Sequence, residues 1–546
     1  MNPPDANSIL SYTPISSRQD RTDLATSQKF DIIVIGGGIH GACVAKLSAK
    51  AGFRTLLLEA RDYAGATSSR SSKMAHGGLR YLEMYDFKQV FEGIKAREEL
   101  FSACPNLVQP QSFLIPIARG DTLFRYKLRC GLFLYDLMVR NRERAHRWIP
   151  REKLSFHSFN AHREDLAGCY QYTDGLMNDA RLVFEMIVSA EEYGAITLNY
   201  AAAEKIHRAS QGNVSVTWTD GISSATRQSK GSVVINCAGP WAPMIRESSD
   251  EPSPIGIKYS RGSHLLFSVP WKDPALFLPL EERGRYYFVW PHATGTLVGT
   301  TEREVSGSEL DPQPTSDEVD EILRRLERDL PNSGLNRATL HYGFAGVRTL
   351  PMRDSRRGVS KLSRKHIWRS AHGVITLLGG KYTTFAWTAG EGLKLAMREL
   401  ERAVEVPNAL DDLPSVATGS FDALREEFAT KYGKTGPAVE RALSRLGGMC
   451  RRYRDRVDAW REISPGVLKL EAMHAVEVEH AETIEDIIRR RLDLEFLPSH
   501  GVEALDAICE ILGPSCGVDA LAEQRTAWKE RLKALHEVLG IAPTPR

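Results

Sequence analysis

This chain lacks long apolar runs, paired cysteines and a charge excess of either sign. No segment reaches the roughly 18 consecutive apolar residues of a membrane-spanning helix. The 71 basic and 69 acidic residues leave a net charge of +2, which argues against bulk nucleic-acid binding. The eight cysteines are scattered without a CxxC pair. This argues against a zinc ribbon or a dithiol redox site and is typical of a reducing cytoplasm.

The first 29 residues lack the features of a targeting signal. They are polar, mix acids with bases and contain no apolar core like that of a signal peptide. We therefore expect residues 1–29 to form a disordered tail. The 546 residues as a whole are enough for two or more domains with a large core.

Two kinds of apolar segment occur in residues 30–400. The runs at 231–239 and 373–381 each end in glycine and predict buried strands that enter tight turns. The segments at 263–269 and 285–290 are rich in aromatic and β-branched residues, which favours a separate, mainly antiparallel sheet. The sequence thus predicts an α/β region with an interleaved second sheet.

The composition changes after residue 400. Residues 401–420 carry Pro, Gly, Ser and Asp and are predicted to be a linker. Helical patterns dominate residues 421–546, including ETIEDIIRRRLDL at 482–494. We therefore predict a C-terminal α-helical domain, and an amphipathic helix over residues 316–330 in the preceding region.

A glycine-rich turn opens the α/β region. The apolar run FDIIVI is followed by GxGxxG at Gly36, Gly38 and Gly41, then by a helical pattern and a second apolar run that ends near Glu59. In this context the motif predicts a dinucleotide-binding unit, with the pyrophosphate at the helix N-terminus. Glu59 can accept a hydrogen bond from a ribose hydroxyl and would repel a 2′-phosphate, which disfavours NADP. The alternative is a glycine turn without a cofactor.

The segment ATSSRSSKMAHGGLRYLE at 66–83 is crowded with hydroxyl groups. FAD is longer than one strand–helix–strand unit can cover, so its flavin end needs donors from elsewhere in the chain. This segment can cradle a pyrophosphate and a flavin ring, whereas the alternative is a solvated serine-rich loop. The expected donors are Thr67, Ser68, Ser71, Ser72 and Lys73, with the backbone around Gly77 and Gly78.

Eight segments occur in an order that resembles a known family, the FAD-dependent glycerol-3-phosphate dehydrogenases and oxidases. They are GGGIHGACVA, LLLEA, ATSSRSSKMAHGGLRYLE, INCAGPWA, RGSHLLF, GTTE, YGFAGVRTLP and LLGGKYTTF. The resemblance covers residues 30–400, and HAETIEDIIRRR extends it more loosely into the C-terminal region. It implies a D-amino-acid-oxidase-like fold: a Rossmann-like FAD-binding domain, an interleaved, mainly antiparallel substrate sheet and a C-terminal helical domain.

The resemblance also implies an activity. A hydride would pass from C2 of sn-glycerol 3-phosphate to flavin N5, giving dihydroxyacetone phosphate, and the electrons would go to a membrane quinone. Alternatives are an oxygen-using oxidase of the same substrate and a flavin oxidoreductase for another 2-hydroxy compound or an amine. A flavin-binding regulatory or scaffold protein is the non-enzymatic alternative.

The substrate, a dianionic phosphate with a secondary alcohol, needs cations and a base. By the resemblance, Arg80, Arg348 and Arg364 would bind the phosphate, for which the planar guanidinium is suited. His264 would be the general base, since the ordinary histidine pKa lies near 6.5. Tyr81 would close over the substrate.

The flavin ring has its own expected neighbours. Gly379, Gly380 and Lys381 follow a strand, so their backbone and the Lys381 charge can stabilise negative charge on the reduced ring. His76 is a further contact to the flavin. The family pattern is altered at His40, where asparagine is usual, and at Glu302 in GTTER, where aspartate is usual. The longer acid leaves the positioning around Glu302 open.

Residues 124–148 mix basic side chains with Phe, Leu, Tyr and Trp. A basic amphipathic helix of this kind can lie on an anionic membrane surface, whereas the alternative is a solvated helix that packs by its apolar side. We expect a cytoplasmic protein that is peripheral on the inner face of the membrane, with glycerol 3-phosphate and a quinone as partners. No nucleic acid or metal is expected, and a homodimer is left open.

Overall fold

The computed structural model describes most of the chain. The described residues are 17–79, 86–137, 144–154, 165–208, 213–247, 256–280, 285–307, 312–352, 365–416 and 420–542.

A mostly parallel sheet of eight strands forms the first layer. Its strands are β1 (Lys29–Ile35), β2 (Thr55–Leu58), β7 (Ile196–Leu198), β8 (Ala201–Arg208), β9 (Val214–Asp220), β10 (Thr226–Asn236), β17 (Ile367–Ala371) and β18 (Val374–Leu378). The order is β17-β18-β10-β1-β2-β7, with the β8–β9 hairpin beside β10. The strands from β18 to β7 are parallel, as expected of a Rossmann-like domain.

The register of β1 brings three chain segments to one edge of this sheet. Ile35, the last residue of β1, lies opposite Leu58 of β2 and Asn236 of β10. Because the three strands are parallel, the turns that follow them all emerge at this edge, where open α/β sheets bind their ligands. The predicted glycine turn therefore starts beside the end of β2.

A second sheet of ten strands carries the other half of the core. Its strands are β3 (Met74–Ala75), β4 (Val108–Ala118), β5 (Arg147–Pro150), β6 (Leu166–Met177), β11 (Ile257–Phe267), β12 (Ala275–Pro279), β13 (Tyr286–His292), β14 (Gly295–Gly299), β15 (Arg303–Val305) and β16 (Leu340–Pro351). All pairs are antiparallel except β4 with β12. This confirms the predicted interleaved, mainly antiparallel domain.

Helices cover the first sheet and flank the second. They are α1 (Arg18–Ser27), α2 (Ile39–Lys50), α3 (Phe87–Ala103), α4 (Thr122–Asp136), α5 (Asp179–Glu192), α6 (Ala242–Glu247), α7 (Ser316–Asp329) and α8 (Phe385–Glu399). Helices α2, α5 and α8 share a buried apolar cluster with β1, β2, β10 and β18. Helix α7 confirms the helix predicted over residues 316–330.

The predicted disordered tail is wrong for residues 17–29. Ser17 caps α1 by accepting a hydrogen bond from the Asp20 N–H at 3.0 Å, and Ala25 is fully buried. Arg18 also pairs with Asp220 at 2.8 Å. The error has a physical reason: a mostly polar helix can be held by one small apolar face and an ion pair, which composition alone does not reveal. Residues 1–16 lie outside the described part.

The C-terminal domain is helical, as predicted. Its helices are α9 (Phe421–Tyr432), α10 (Pro437–Leu446), α11 (Lys469–Glu477), α12 (Ile484–Asp486), α13 (Leu505–Leu512) and α14 (Val518–Leu539), with a small hairpin of β19 (Glu462–Ser464) and β20 (Val467–Leu468). The helical pattern at 482–494 is interrupted, because a π-helical turn at Ile487–Arg491 follows α12. Among the described residues, no helix has the length and apolar character needed to cross a bilayer.

The connection between the two regions is packed rather than free. The described part of residues 401–420 has no regular structure, as expected of a linker. However, Ala409, Leu410 and Leu413 are buried against the core of the first sheet. The far end of the chain also returns to the main domain, since Leu535 and Leu539 join the core of the second sheet.

Candidate functional site

A cavity of about 490 Å³ lies where the two sheets meet, a size typical of ligand sites. Its lining includes residues of five chain segments, at 35–40, 59–61, 65–76, 346–350 and 379–383. Residues at 237–241 and 244–245, with Ala203 and Gly262, complete it. The first, second and fifth of the five segments follow the carboxyl ends of β1, β2 and β18, and the fourth belongs to β16. The fold thus brings together residues that are up to about 345 positions apart in the sequence.

The glycine turn has the shape that a dinucleotide requires. Gly36 has φ +105°, and a Cβ there would lie 2.6 Å from the carbonyl oxygen of Cys237. A Cβ at Gly41 would lie 1.9 Å from the carbonyl oxygen of Gly36, so only glycine lets α2 approach the turn. Gly38 is the N-cap of α2 and has no side chain over the helix end. This arrangement fits a pyrophosphate at the helix N-terminus.

Glu59 lies at the end of β2 and lines the cavity. Its carboxylate accepts hydrogen bonds from the Gly37 N–H at 2.5 Å and the Arg61 N–H at 2.9 Å. Burial raises the pKa of Glu59, against the effect of these two amides. The acid is therefore fixed beside the glycine turn, as the sequence predicts.

The serine-rich segment lines the cavity, but its hydroxyl groups face the protein. Thr67 Oγ1 donates to the Val347 carbonyl at 2.8 Å, and Ser68 Oγ accepts from the Ile39 N–H at 3.0 Å. Ser71 Oγ donates to Asp179 at 2.7 Å. The three hydroxyl groups therefore help to shape the loop, and their predicted contact with the cofactor stays a prediction.

Lys73 is not part of the cavity lining. Its Nζ lies 2.6 Å from Asp179 Oδ1, and the Asp179 side chain is completely buried. Burial would lower the pKa of Lys73, but the carboxylates of Asp179, Asp493 and Glu495 outweigh it and raise that pKa. The Lys73 ammonium thus serves as the counter-charge of Asp179, as a buried charge requires, and its predicted contact with the cofactor stays a prediction.

Gly379, Gly380 and Lys381 lie at the cavity, as the resemblance implies. Both glycines have positive φ, +73° and +124°. The next residue, Tyr382, donates its hydroxyl to the carbonyl oxygen of Asp179. Asp179 thereby holds both the serine-rich segment and the segment after β18.

Of the three arginines expected to bind the substrate, Arg348 is the one that lies among the described residues. It lies on β16, lines the cavity, and its Nη2 lies 3.2 Å from Thr300 Oγ1. His76 lines the same cavity. Arg80, Tyr81 and Arg364 lie outside the described residues.

His264 lies one residue behind the cavity surface. Its Nε2 is 2.9 Å from Ser72 Oγ, and Ser72 lines the cavity whereas His264 does not. The imidazole is 1% exposed and stacks on Phe344 at 4.9 Å. Burial, with the nearby charges of Arg348 and Lys73, lowers the pKa of His264 to about 3. This corrects the expectation of an ordinary histidine pKa near neutrality.

Neither Asp179 nor Thr300 was among the residues predicted from the sequence. Asn178 and Asp179 begin α5, with the Asn178 side chain as the N-cap, and this is a recognisable helix-start signal. The signal predicts a helix but not a partner, and 106 positions separate Asp179 from Lys73. Thr300 gave no signal beyond its place in the GTTE segment.

Comparisons with known proteins agree with this geometry. Residues 31–393 match the family model for FAD dependent oxidoreductases. Residues 408–523 match the model for the C-terminal domain of alpha-glycerophosphate oxidase.

Curated relatives match over nearly the whole chain. A glycerol-3-phosphate dehydrogenase from Synechocystis is 31% identical, covering 89% of this chain and 93% of the relative. Glycerol-3-phosphate dehydrogenase 2 from Mycobacterium tuberculosis is 30% identical over 94% and 90%. The aerobic glycerol-3-phosphate dehydrogenase from Bacillus subtilis is 27% identical over 97% of each chain.

A solved structure shares the fold. The glycerol-3-phosphate dehydrogenase from Bacillus halodurans, crystallised with FAD, has a TM-score of 0.76 at 23% identity and covers 98% of this chain. The alignment extends over 99% of that protein, so the predicted fold class is confirmed for both domains.

Proposed function

Because the chain belongs to the family of FAD-dependent glycerol-3-phosphate dehydrogenases, we propose that it oxidises sn-glycerol 3-phosphate at C2 and passes the electrons to a quinone. The comparisons confirm the family, the FAD cofactor and the class of enzyme that the resemblance in the sequence implied. One observation carries the substrate assignment: Arg348 lines the same cavity as the dinucleotide turn.

The residues that would hold FAD are those of the glycine turn, Glu59 and the segment 379–381. They combine a close backbone approach, a carboxylate for a ribose and a lysine charge at the far end. When bound, FAD supplies the two-electron acceptor for the hydride that leaves C2.

Arg348 binds the substrate phosphate in this proposal. Its fork of N–H groups matches two phosphate oxygens, and the contact of Nη2 with Thr300 fixes the orientation of the guanidinium. The β16 backbone is rigid here, because it pairs with β11 over its whole length. A phosphate held on this strand keeps the substrate in one position relative to the glycine turn.

The proton of the substrate hydroxyl leaves through Ser72 and His264. Ser72 Oγ takes that proton while it gives its own proton to His264 Nε2, 2.9 Å away. Burial and the two neighbouring charges keep the imidazole neutral, but the lowered pKa of His264 also makes it a weak base in the ligand-free site. A bound phosphate dianion would neutralise Arg348, one of the two charges that lower this pKa, and would thus make His264 a stronger base.

Anaerobic addition of glycerol 3-phosphate to the FAD-loaded protein tests the activity. We expect the visible absorbance of the oxidised flavin to bleach, as hydride transfer to the flavin requires. A flavin that glycerol 3-phosphate cannot bleach would support the regulatory alternative, and bleaching by an amine instead would support an amine oxidase.

The Arg348→Gln variant tests the phosphate contact. Loss of a buried charge-assisted contact costs about 2 kcal/mol or more, which predicts about a 30-fold or larger rise in KM. Arg303→Gln is the matched control, since Arg303 lies on β15, which also pairs with β11, and its side chain is 42% exposed. An unchanged KM in Arg348→Gln would show that the phosphate binds elsewhere.

The His264→Asn variant tests the base. We expect slower flavin reduction with FAD binding retained, because the imidazole moves a proton and does not line the cavity. His76, which does line it, is the comparison. If His76→Asn slows reduction and His264→Asn does not, His76 is the base and the relay through Ser72 is wrong.

An exposed apolar surface supports the proposed membrane contact and, with it, the proposed quinone acceptor. Seven of the eleven exposed large apolar side chains among the described residues lie on α3, on α4 or directly after α4, and these two helices contact each other. They are Phe87, Phe91, Leu123, Tyr126, Phe133, Leu134 and Leu137. A contiguous exposed apolar surface is typical of an interaction site, and quinones dissolve in the lipid that such a surface would meet.

Helix α4 makes the membrane contact in this proposal. Leu123, Tyr126, Phe133 and Leu137, here called the α4 stripe, recur at helical spacing and are 57–69% exposed. The opposite face is buried through Leu132 and Tyr135. The helix ends at Asp136, so it covers only the first part of the predicted segment 124–148. Reoxidation of the reduced flavin by a quinone analogue, and slowly by air, is the expected result; rapid reoxidation by air would favour an oxidase.

A further inference from the structure

A second cavity, of about 370 Å³, lies beside α4 and is separate from the site described above. It is formed where α4 meets β5 and β6. Its lining is basic and aromatic: Arg125, Tyr126, Arg129, His146, Arg147, Trp148 and Tyr170. None of these residues has a part in the proposed reaction.

The arginines of this cavity are positioned by neutral or aromatic partners. The Arg125 guanidinium lies 3.9 Å from the centroid of the Trp148 ring, and Arg147 Nε donates to Gln171 Oε1 at 2.7 Å. The Trp148 ring in turn packs against Tyr170, with centroids 4.9 Å apart. Aromatic stacking fixes a guanidinium without using its charge.

Two carboxylates near the cavity already have partners. Asp136 pairs with His146 at 2.5 Å, and Glu98 pairs with Arg144 at 3.0 Å. Among the ion pairs of the described residues, none involves Arg125 or Arg129. These two arginines are one helical turn apart, so their charges converge on the same cavity and are available to an anion.

We propose that this cavity binds the phosphate group of an anionic membrane lipid. Tyr126 belongs both to the cavity lining and to the α4 stripe, so a lipid with its phosphate at Arg125 and Arg129 would lay its acyl part along the stripe. Basic residues that flank an apolar helix face commonly take this position at a membrane surface. The inference rests on the proposed membrane contact and adds headgroup selectivity to it.

Flotation of the FAD-loaded full-length protein with vesicles tests the proposal. The vesicles contain phosphatidylcholine alone or with an equal part of phosphatidylglycerol, at one ionic strength. We expect the native protein to prefer the anionic vesicles. The Arg125→Gln/Arg129→Gln variant should bind them about 30-fold more weakly, since each basic contact contributes about a fivefold factor at a membrane surface.

The matched control removes the same charge outside the cavity. Arg119→Gln/Lys127→Gln changes two exposed basic residues at and before α4 that do not line the cavity. A much smaller loss in this control supports a defined site, whereas equal losses in both variants show only diffuse attraction and overturn it. Arg129→Glu provides a second test in case the double variant does not fold, because Arg129 is exposed. This variant should also lose the preference for anionic vesicles.

Two further outcomes distinguish a failure of the lipid-phosphate site from a failure of the proposed membrane contact. If the native protein binds neither kind of vesicle, the membrane contact itself is wrong. If it binds both equally and Phe133→Ser abolishes the binding, the α4 stripe contacts membranes but the cavity does not select a headgroup. Release of the native protein from anionic vesicles by inorganic phosphate, but not by chloride of equal ionic strength, is expected if the lipid phosphate occupies the cavity. Binding of inorganic phosphate that depends on Arg125 and Arg129 but does not release the protein from the vesicles would assign the cavity to free phosphate and overturn the lipid assignment.

Discussion

The Asp179→Asn substitution should destabilise the protein far more than an ordinary ion-pair change. Asp179 Oδ1 lies 2.6 Å from Lys73 Nζ, and the two side chains are 0% and 10% exposed. Its other oxygen accepts from the N–H and Oγ of Ser71, at 3.2 and 2.7 Å. Asparagine keeps the shape but leaves the buried ammonium without its closest counter-charge.

The expected loss follows from this geometry. Removing one partner of a buried pair costs about 3–5 kcal/mol, because the remaining charge stays desolvated. Asp493 and Glu495 still act on the Lys73 charge, so we expect the lower end, about 3 kcal/mol. The loss of FAD should follow, since Ser71 lines the cavity and is held by the Asp179 carboxylate.

Denaturant unfolding of the FAD-loaded protein, followed by circular dichroism and by flavin fluorescence, measures both effects. Glu440→Gln is the matched control. Glu440 also lies in the first turn of a helix and pairs with Arg425 at the same 2.6 Å, but the two side chains are 45% and 46% exposed. Exposed pairs contribute about 1 kcal/mol or less. Equal losses of stability in the two variants would refute the reasoning.

Two further predictions follow from the glycine turn and from buried histidine. Gly41→Ala should abolish FAD binding at a cost of about 1–3 kcal/mol, since its Cβ would lie 1.9 Å from the Gly36 carbonyl oxygen; Gly120→Ala, with open space around it, should retain the flavin. Burial lowers the pKa of His264 to about 3, below its unfolded value, so the unfolded chain binds more protons between about pH 6.5 and pH 3. Stability should therefore fall as the pH falls through this window, by up to about 1.4 kcal/mol per pH unit from this group. Urea midpoints at several pH values should show a shallower dependence for His264→Asn than for the exposed control His372→Asn, and identical slopes would contradict the assignment.

The sequence predicted the dinucleotide turn well because its constraints are local. Gly36 must adopt a positive φ, and Gly41 must let the helix approach the turn. Both requirements act within a few residues, so they produce the GxGxxG spacing, which can be recognised directly in the sequence. Glu59 follows one strand later and was placed correctly for the same reason.

The sequence predicted poorly which polar groups face the cavity. Thr67, Ser68 and Ser71 carry hydroxyl groups suited to a ligand, yet those groups bond to Val347, Ile39 and Asp179. No local pattern distinguishes a hydroxyl that binds a ligand from one that holds its own loop. The packing of α1 was not predicted for a similar reason, since the ion-pair partner of Arg18, Asp220, lies about 200 residues away in the sequence.

By itself, the sequence determined the fold class, the cofactor and the family, because glycine spacing and apolar periodicity record backbone requirements that any member of the fold must meet. Only the tertiary structure decided that Lys73 serves Asp179, that His264 reaches the cavity through Ser72, and that α4 exposes a second apolar face. The physical reason is that charge pairing, burial and exposure depend on which distant segments meet. The contacts between those segments are determined by how both sheets and the C-terminal helices pack together.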